Sequence, residues 1–129
     1  MAEAKTTNRR VVFQTGGLRC GPCYRFARWI DEHRAELDKD FVFLKLSDLH
    51  SNWPAVTERL EPKPSGGIPW MAILDAGGKV LITSDGPLGN VGFPVEGLGK
   101  KHFGKMLEAG AKHSTPAQRD ALLATLPKE

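Results

Sequence analysis

Cys20 and Cys23 are the only two cysteines in the 129-residue chain, and Gly21-Pro22 is all that separates them. Two thiols at this spacing can close and open a disulfide with little backbone movement, and the Gly-Pro pair supplies a tight turn. The stretch follows an apolar strand pattern and precedes a helical one, so Cys20 is expected at a helix N-terminus. There the aligned peptide dipoles and unpaired N–H groups favour an anion. The thiolate is the nucleophile in disulfide exchange, and a free cysteine titrating near ~8.5 is only slightly ionised at neutral pH. Arg19, next in the chain to Cys20, adds positive charge. Cys23 falls one turn inside the helix on its apolar side and is expected to be the more buried. On that expectation Cys20 attacks and Cys23 resolves the mixed disulfide.

Other uses of the pair fit less well. A structural zinc site ordinarily needs four ligands, and the remaining candidates, His33, His50, His102 and His113, include no two at helical i, i+3 or i, i+4 spacing. An iron–sulfur cluster wants more cysteines. An inert cross-link over so short a loop would constrain the unfolded chain little. No metal and no organic cofactor is expected, because a cysteine pair is itself an electron carrier.

The elements that must position the pair are legible in outline. Residues 10–15 read as a strand that Gly16-Gly17 should break. From Pro22 onward Cys23, Phe26, Ala27, Ile30 and Leu37 follow the helical period, with Trp29 expected to pack beside them. A second strand is expected over 41–46, a short helix over 52–60 and a Pro/Gly loop over 61–67. Residues 70–75 and 79–83 form the two arms of an antiparallel hairpin around Ala76-Gly77-Gly78. Residues 84–99 are rich in Gly and Pro and too long for an ordinary connection. A helix is expected over 101–112 with Phe103, Met106 and Leu107 inward. Thr115-Pro116-Ala117-Gln118 is a strong start signal for a last helix, with Leu122, Leu123 and Leu126 apolar. This order predicts an α/β fold: a central mixed four-stranded sheet with helices on both faces.

Length predicts one domain over residues 1–129, with a core at about 10–112 and a C-terminal helical extension at 113–129. Net charge is +3 with 26% charged residues, and the basic residues are dispersed. No aromatic–basic groove accompanies them, which argues against nucleic acid. No stretch approaches the ~20 apolar residues of a membrane helix. The first residues lack the apolar core of an export signal, so the chain is expected to be cytoplasmic, or a periplasmic or secreted domain from which a signal or larger parent was removed. A monomer is expected.

Three separated features resemble the thioredoxin superfamily: the strand–Cys20-Gly21-Pro22-Cys23–helix unit, Gly67-Ile68-Pro69 before the third strand, and the element order. The resemblance covers roughly residues 10–112 and points to a divergent bacterial thioredoxin-like domain. It implies the attacking role for Cys20 and the resolving role for Cys23. It implies a cis peptide bond before Pro69, facing the pair, with Ile68 offering its backbone to a client strand and Trp70 beside it. Gly21, Pro22, Arg19 and Lys45, a lysine on the central strand, would tune the thiols. Trp70 and Phe93 are open to two roles, apolar contact with a client or core packing. The chain departs from the family in two places. Arg19 stands where a tryptophan is usual, and Gln14 stands where the first strand usually carries a buried acid, six residues before the first cysteine.

The resulting expectation is a thiol-disulfide oxidoreductase acting on protein disulfide clients and regenerated by a recycling reductase. The alternatives are a non-catalytic binding module that docks a partner on the 84–99 segment, and an exported disulfide isomerase or oxidant. A peroxide-directed enzyme on the same fold ranks last, since no signature of one appears.

Overall fold

The computed structural model describes residues 6–16, 20–47, 69–86, 89–94 and 97–126. Strand β1 (Arg10–Gly16) runs through Gly16 instead of stopping before it. Helix α1 (Gly21–Glu32) follows, then a single turn α2 (Arg34–Leu37) and strand β2 (Phe41–Ser47). The hairpin is β3 (Met71–Leu74) and β4 (Val80–Thr83). A two-stranded ribbon, β5 (Asp85–Gly86) and β6 (Gly89–Asn90), leads to helices α3 (Gly97–Gly110) and α4 (Pro116–Ala124). The helix expected over 52–60 lies outside the described residues.

The strand order is β2-β1-β3-β4. β1 and β2 are parallel, with Gln14 beside Lys45 and Gly16 beside Ser47. β3 lies antiparallel to β1, Gln14 opposite Met71, and β4 antiparallel to β3 with a register shift at Ile73/Leu74. The sheet is therefore mixed and four-stranded, as the element order predicts.

Alternation along β1 divides the core in two. Val12 belongs to the larger cluster, with Phe26, Trp29 and Ile30 of α1, Phe103, Met106 and Leu107 of α3, and Leu122 of α4. Val11 and Phe13 belong to the other face, with Trp70, Ala72 and Leu74. Among the described residues, all three longer helices thus contribute to one face. Phe26, Trp29 and Ile30 recur at the i, i+3, i+4 spacing of a buried stripe. Phe26 stacks on Trp29 at 6.1 Å between ring centroids. Trp29 also donates its Nε1–H to Thr125 Oγ1 at 2.9 Å, tying α1 to the end of α4.

Helix α3 starts at Gly97, not at residue 101, despite the low helix propensity of Gly97 and Gly99. Tertiary packing overrides propensity there: a Cβ on Gly99 would lie 3.7 Å from Val91 Cβ and 3.9 Å from Pro94, so this turn fits closely against the chain leaving the ribbon. At its last residue, Gly110, a Cβ would lie only 2.2 Å from Phe41, so the helix end packs directly on that ring. α4 opens as expected. Thr115 Oγ1 accepts the Gln118 N–H, and Gln118 accepts the Thr115 N–H, a complete capping box.

Asp40, just before β2, is 3% exposed. Its carboxylate accepts the backbone N–H groups of Lys112, His113 and Ser114 at 2.7–3.2 Å and the Ser114 hydroxyl. Burial by itself would raise its pKa, but these four donors outweigh burial and hold the carboxyl below its ordinary value. One buried acid thereby fixes the link between α3 and α4.

Candidate active site

The cysteine pair sits where β1 hands over to α1. Cys20 is the N-cap of α1, with extended backbone (φ −110°, ψ 98°). Gly21 and Pro22 form the exposed first turn, where the N–H that proline lacks has no helical partner to lose. Cys20 and Cys23 are joined in a disulfide, S–S 1.99 Å and Cα–Cα 5.2 Å. Cys20 Sγ accepts the Cys23 backbone N–H at 3.0 Å. The sulfur thus occupies the position that a capping oxygen fills in an ordinary helix start. The first turn of α1 carries no acidic residue, so no carboxylate in that turn opposes negative charge on the sulfur.

The expected order of burial is reversed. Cys20 is 6% exposed, whereas Cys23 is half-buried. The physical reason lies in the strand alongside. Cys23 faces Gly16, where a Cβ would stand 3.6 Å from Cys23 Cβ and 3.7 Å from its Sγ. Because Gly16 has no side chain, this flank of Cys23 stays partly open. Exposure therefore does not assign the roles of the two sulfurs; the helix N–H on Cys20 is the asymmetry that can.

Pro69 comes to the same end of the sheet. The Thr15 N–H donates to the Trp70 carbonyl at 2.9 Å, extending the β1–β3 ladder beyond Gln14–Met71. One further step of that register sets Pro69 across from Gly16, the residue that touches Cys23. The Pro69–Trp70 backbone is held closely. Thr15 Oγ1 accepts the Trp70 N–H at 3.0 Å and donates to the Trp70 carbonyl at 3.1 Å. Asn90 Nδ2 donates to the Pro69 carbonyl at 3.0 Å. Ser84, fully buried, accepts the Met71 N–H at 2.9 Å and donates to Asn90 Oδ1 at 2.7 Å.

Trp70 and Phe93 both pack in the core. Trp70 is 4% exposed, on the sheet face away from α1, with its indole N–H on Asp85 Oδ2 at 3.0 Å. Phe93 is 8% exposed, 5.6 Å from the Phe26 ring, with the Arg25 guanidinium 6.0 Å from its own centroid. Gln14 lies on the α1 face of β1, two residues before Gly16. It is 6% exposed, and its buried Oε1 has no hydrogen-bond partner among the described residues. Lys45 stands beside it in register but is exposed. Arg19 and Ile68 lie outside the described residues. His33, His102 and His113 each lean on a backbone carbonyl, and no group of three or more metal-ligating side chains occurs among the described residues. No described helix is long and apolar enough to cross a membrane.

Sequence reasoning missed Gly16, Thr15, Ser84 and Asn90. Gly16 was legible only as a strand breaker, and small polar residues near a glycine-rich stretch carry no signal of what they will bond.

A family model described as thioredoxin-like matches residues 1–76. Among solved structures, the chain is similar to the disulphide isomerase of Xylella fastidiosa Temecula1, with 17% identity and a TM-score of 0.58 over 95% of this chain and 82% of that one. At that identity the likeness concerns the fold. The germline-specific thioredoxin Deadhead of Drosophila melanogaster aligns with 18% identity over 64% of this chain and 73% of its own, at a TM-score of 0.47. No match is found among curated proteins.

Proposed function

The chain belongs to the thioredoxin-like family, and on that premise we propose that it is a thiol-disulfide oxidoreductase acting on protein disulfides through Cys20 and Cys23. The observation that carries this reading is the Cys20 sulfur placed at the N-cap of α1 and hydrogen-bonded by the Cys23 N–H. That N–H and the helix dipole act on Cys20 and not on Cys23. They stabilise a thiolate on Cys20 in the reduced protein, and the thiolate is the attacking species.

The exchange then runs in two balanced steps. Cys20 thiolate attacks one sulfur of a client disulfide, forming a mixed disulfide and releasing the other client sulfur as thiolate. Cys23, deprotonated, attacks Cys20 Sγ. The intramolecular disulfide closes, the second client sulfur leaves, and two electrons have passed to the client. A separate dithiol reductase must return them. By the family resemblance Ile68, the residue before Pro69, offers its backbone N–H and carbonyl to a client strand. No metal or organic cofactor enters.

Cys23→Ser is expected to accumulate a covalent adduct with a disulfide-bonded client, cleavable by dithiothreitol, and Cys20→Ser to form none. Adducts through Cys23 alone would reverse the roles, and adducts through neither would end the proposal. The direction of exchange is read from the reduction potential of the pair. A value near about −270 mV marks a reductant, and one near about −180 mV or higher an isomerase or oxidant.

A further inference from the structure

The glycine-rich stretch between β4 and α3 is wired to Pro69 through one side chain. Asn90 Oδ1 accepts the Ser84 hydroxyl at 2.7 Å and the Gly92 N–H at 3.1 Å, and its Nδ2 donates to the Pro69 carbonyl at 3.0 Å. The Gly92 N–H can only donate, so Oδ1 must face it. The NH2 group must then face Pro69. Gly92 is itself in the left-handed region (φ 56°), and a Cβ there would meet Pro69 Cδ at 3.8 Å. The ribbon therefore folds back onto Pro69, with glycine at the point of contact.

The consequence concerns which backbone groups stay available beside the disulfide. Pro69 has no N–H, and its carbonyl belongs to Asn90. The Trp70 N–H and carbonyl belong to Thr15. Within Pro69 and Trp70, no backbone N–H or carbonyl is left over for an incoming strand. We propose that Asn90 is a positioning residue for client docking: it draws the Pro69 carbonyl out of reach of an incoming strand and locks the Pro69 backbone in one orientation beside Cys23. This rests on the oxidoreductase reading above. It gives Ser84, Asn90 and Gly92 a defined task, that of a brace behind Pro69.

Asn90→Asp tests it, because aspartate preserves the size of the side chain and the acceptors for Ser84 and Gly92 but turns an oxygen toward the Pro69 carbonyl. Steady-state reduction of insulin, a protein disulfide, is compared with reduction of a small aromatic disulfide that needs no docked strand. For Asn90→Asp and Asn90→Ser the expected result is a KM for insulin raised about tenfold, the worth of one hydrogen bond. The kcat, the rate with the small disulfide and the reduction potential of the pair should stay within twofold of the parent. An unchanged KM in both variants overturns the proposal. So does an equal loss on both substrates, which would mean general loosening. If the parent protein reduces neither substrate and Cys23→Ser forms no client adduct, it is the oxidoreductase reading that has failed, and the docking role falls with it.

Discussion

The two ends of the sheet differ in how they treat a buried acid and a buried amide. At the end where β2 begins, Asp40 is saturated with four donors, and Gly110 closes against Phe41. At the end where β1 meets α1, Gln14 keeps a buried oxygen without a partner, and Gly16 leaves one side of Cys23 uncovered. The first end gives its buried carboxylate a full set of donors, although Arg10 Nε, at the same end, is buried without a partner among the described residues. The second holds its backbone with side chains such as Thr15, Ser84 and Asn90, and leaves one flank of Cys23 open. Full bonding at Asp40 fixes the link between two helices, whereas the missing side chain at Gly16 keeps one flank of Cys23 open.

If this division holds, substitutions at the Asp40 end should cost stability and spare disulfide exchange, and those at the Cys23 end should do the reverse. The largest effect belongs to Asp40→Ala, which strands the N–H groups of Lys112, His113 and Ser114. It should lower the unfolding free energy at pH 7 by about 3 kcal/mol in a urea titration, with the exchange rate of the still-folded protein unchanged. The contribution depends on pH with a definite sign. The folded carboxyl titrates below its unfolded value of ~3.9, so its stabilisation is whole above about pH 4 and drains as the pH falls further, where the unfolded chain binds the proton first. The gap between parent and variant should therefore narrow from pH 7 to pH 3. A gap that widened on acidification would refute the assignment.

Gly110→Ala comes next. The new methyl meets a Phe41 ring that is 2% exposed and has nowhere to go. Over-packing of this kind should cost about 2 kcal/mol, visible as a lowered melting temperature. At the other end, Gln14→Leu removes the orphan acceptor at similar volume and should raise stability by about 1 kcal/mol. A loss of similar size would show that the amide is bonded after all. The smallest effect is expected of Gly16→Ala. Its methyl makes ordinary contact with the disulfide, so stability should move by less than about 0.5 kcal/mol, the range of substitutions that create no clash or void. In the reduced protein, alkylation of Cys23 by iodoacetamide should slow a few-fold while that of Cys20 does not. Equal rates before and after would remove Gly16 from the account of why Cys23 is open.

Much of the fold was legible along the chain. Apolar runs located all four sheet strands to within a residue or two, and the Thr115 capping box was readable because its partners lie three residues apart. The strand–cysteine–helix unit was readable for the same reason. The start of α3 was not, since Gly97 and Gly99 are poor helix formers and only their packing against Val91 and Pro94 makes them helical. The relative burial of the two cysteines was read backwards. Helical periodicity puts Cys23 on the inner face of α1, but what it meets there is Gly16, a residue from another element with no side chain to cover it.

Residue types and short-range spacing were thus enough for the close cysteine pair, the family and the order of the described elements, because each rests on interactions within one turn or one strand. They could not foresee that Asp40 would gather three N–H groups from more than seventy residues away, or that Asn90 would reach back to Pro69. Those bonds join segments remote in sequence. Asp, Asn and Ser can satisfy themselves locally in a turn just as well, and only the packing of the sheet and its helices selects the distant partner.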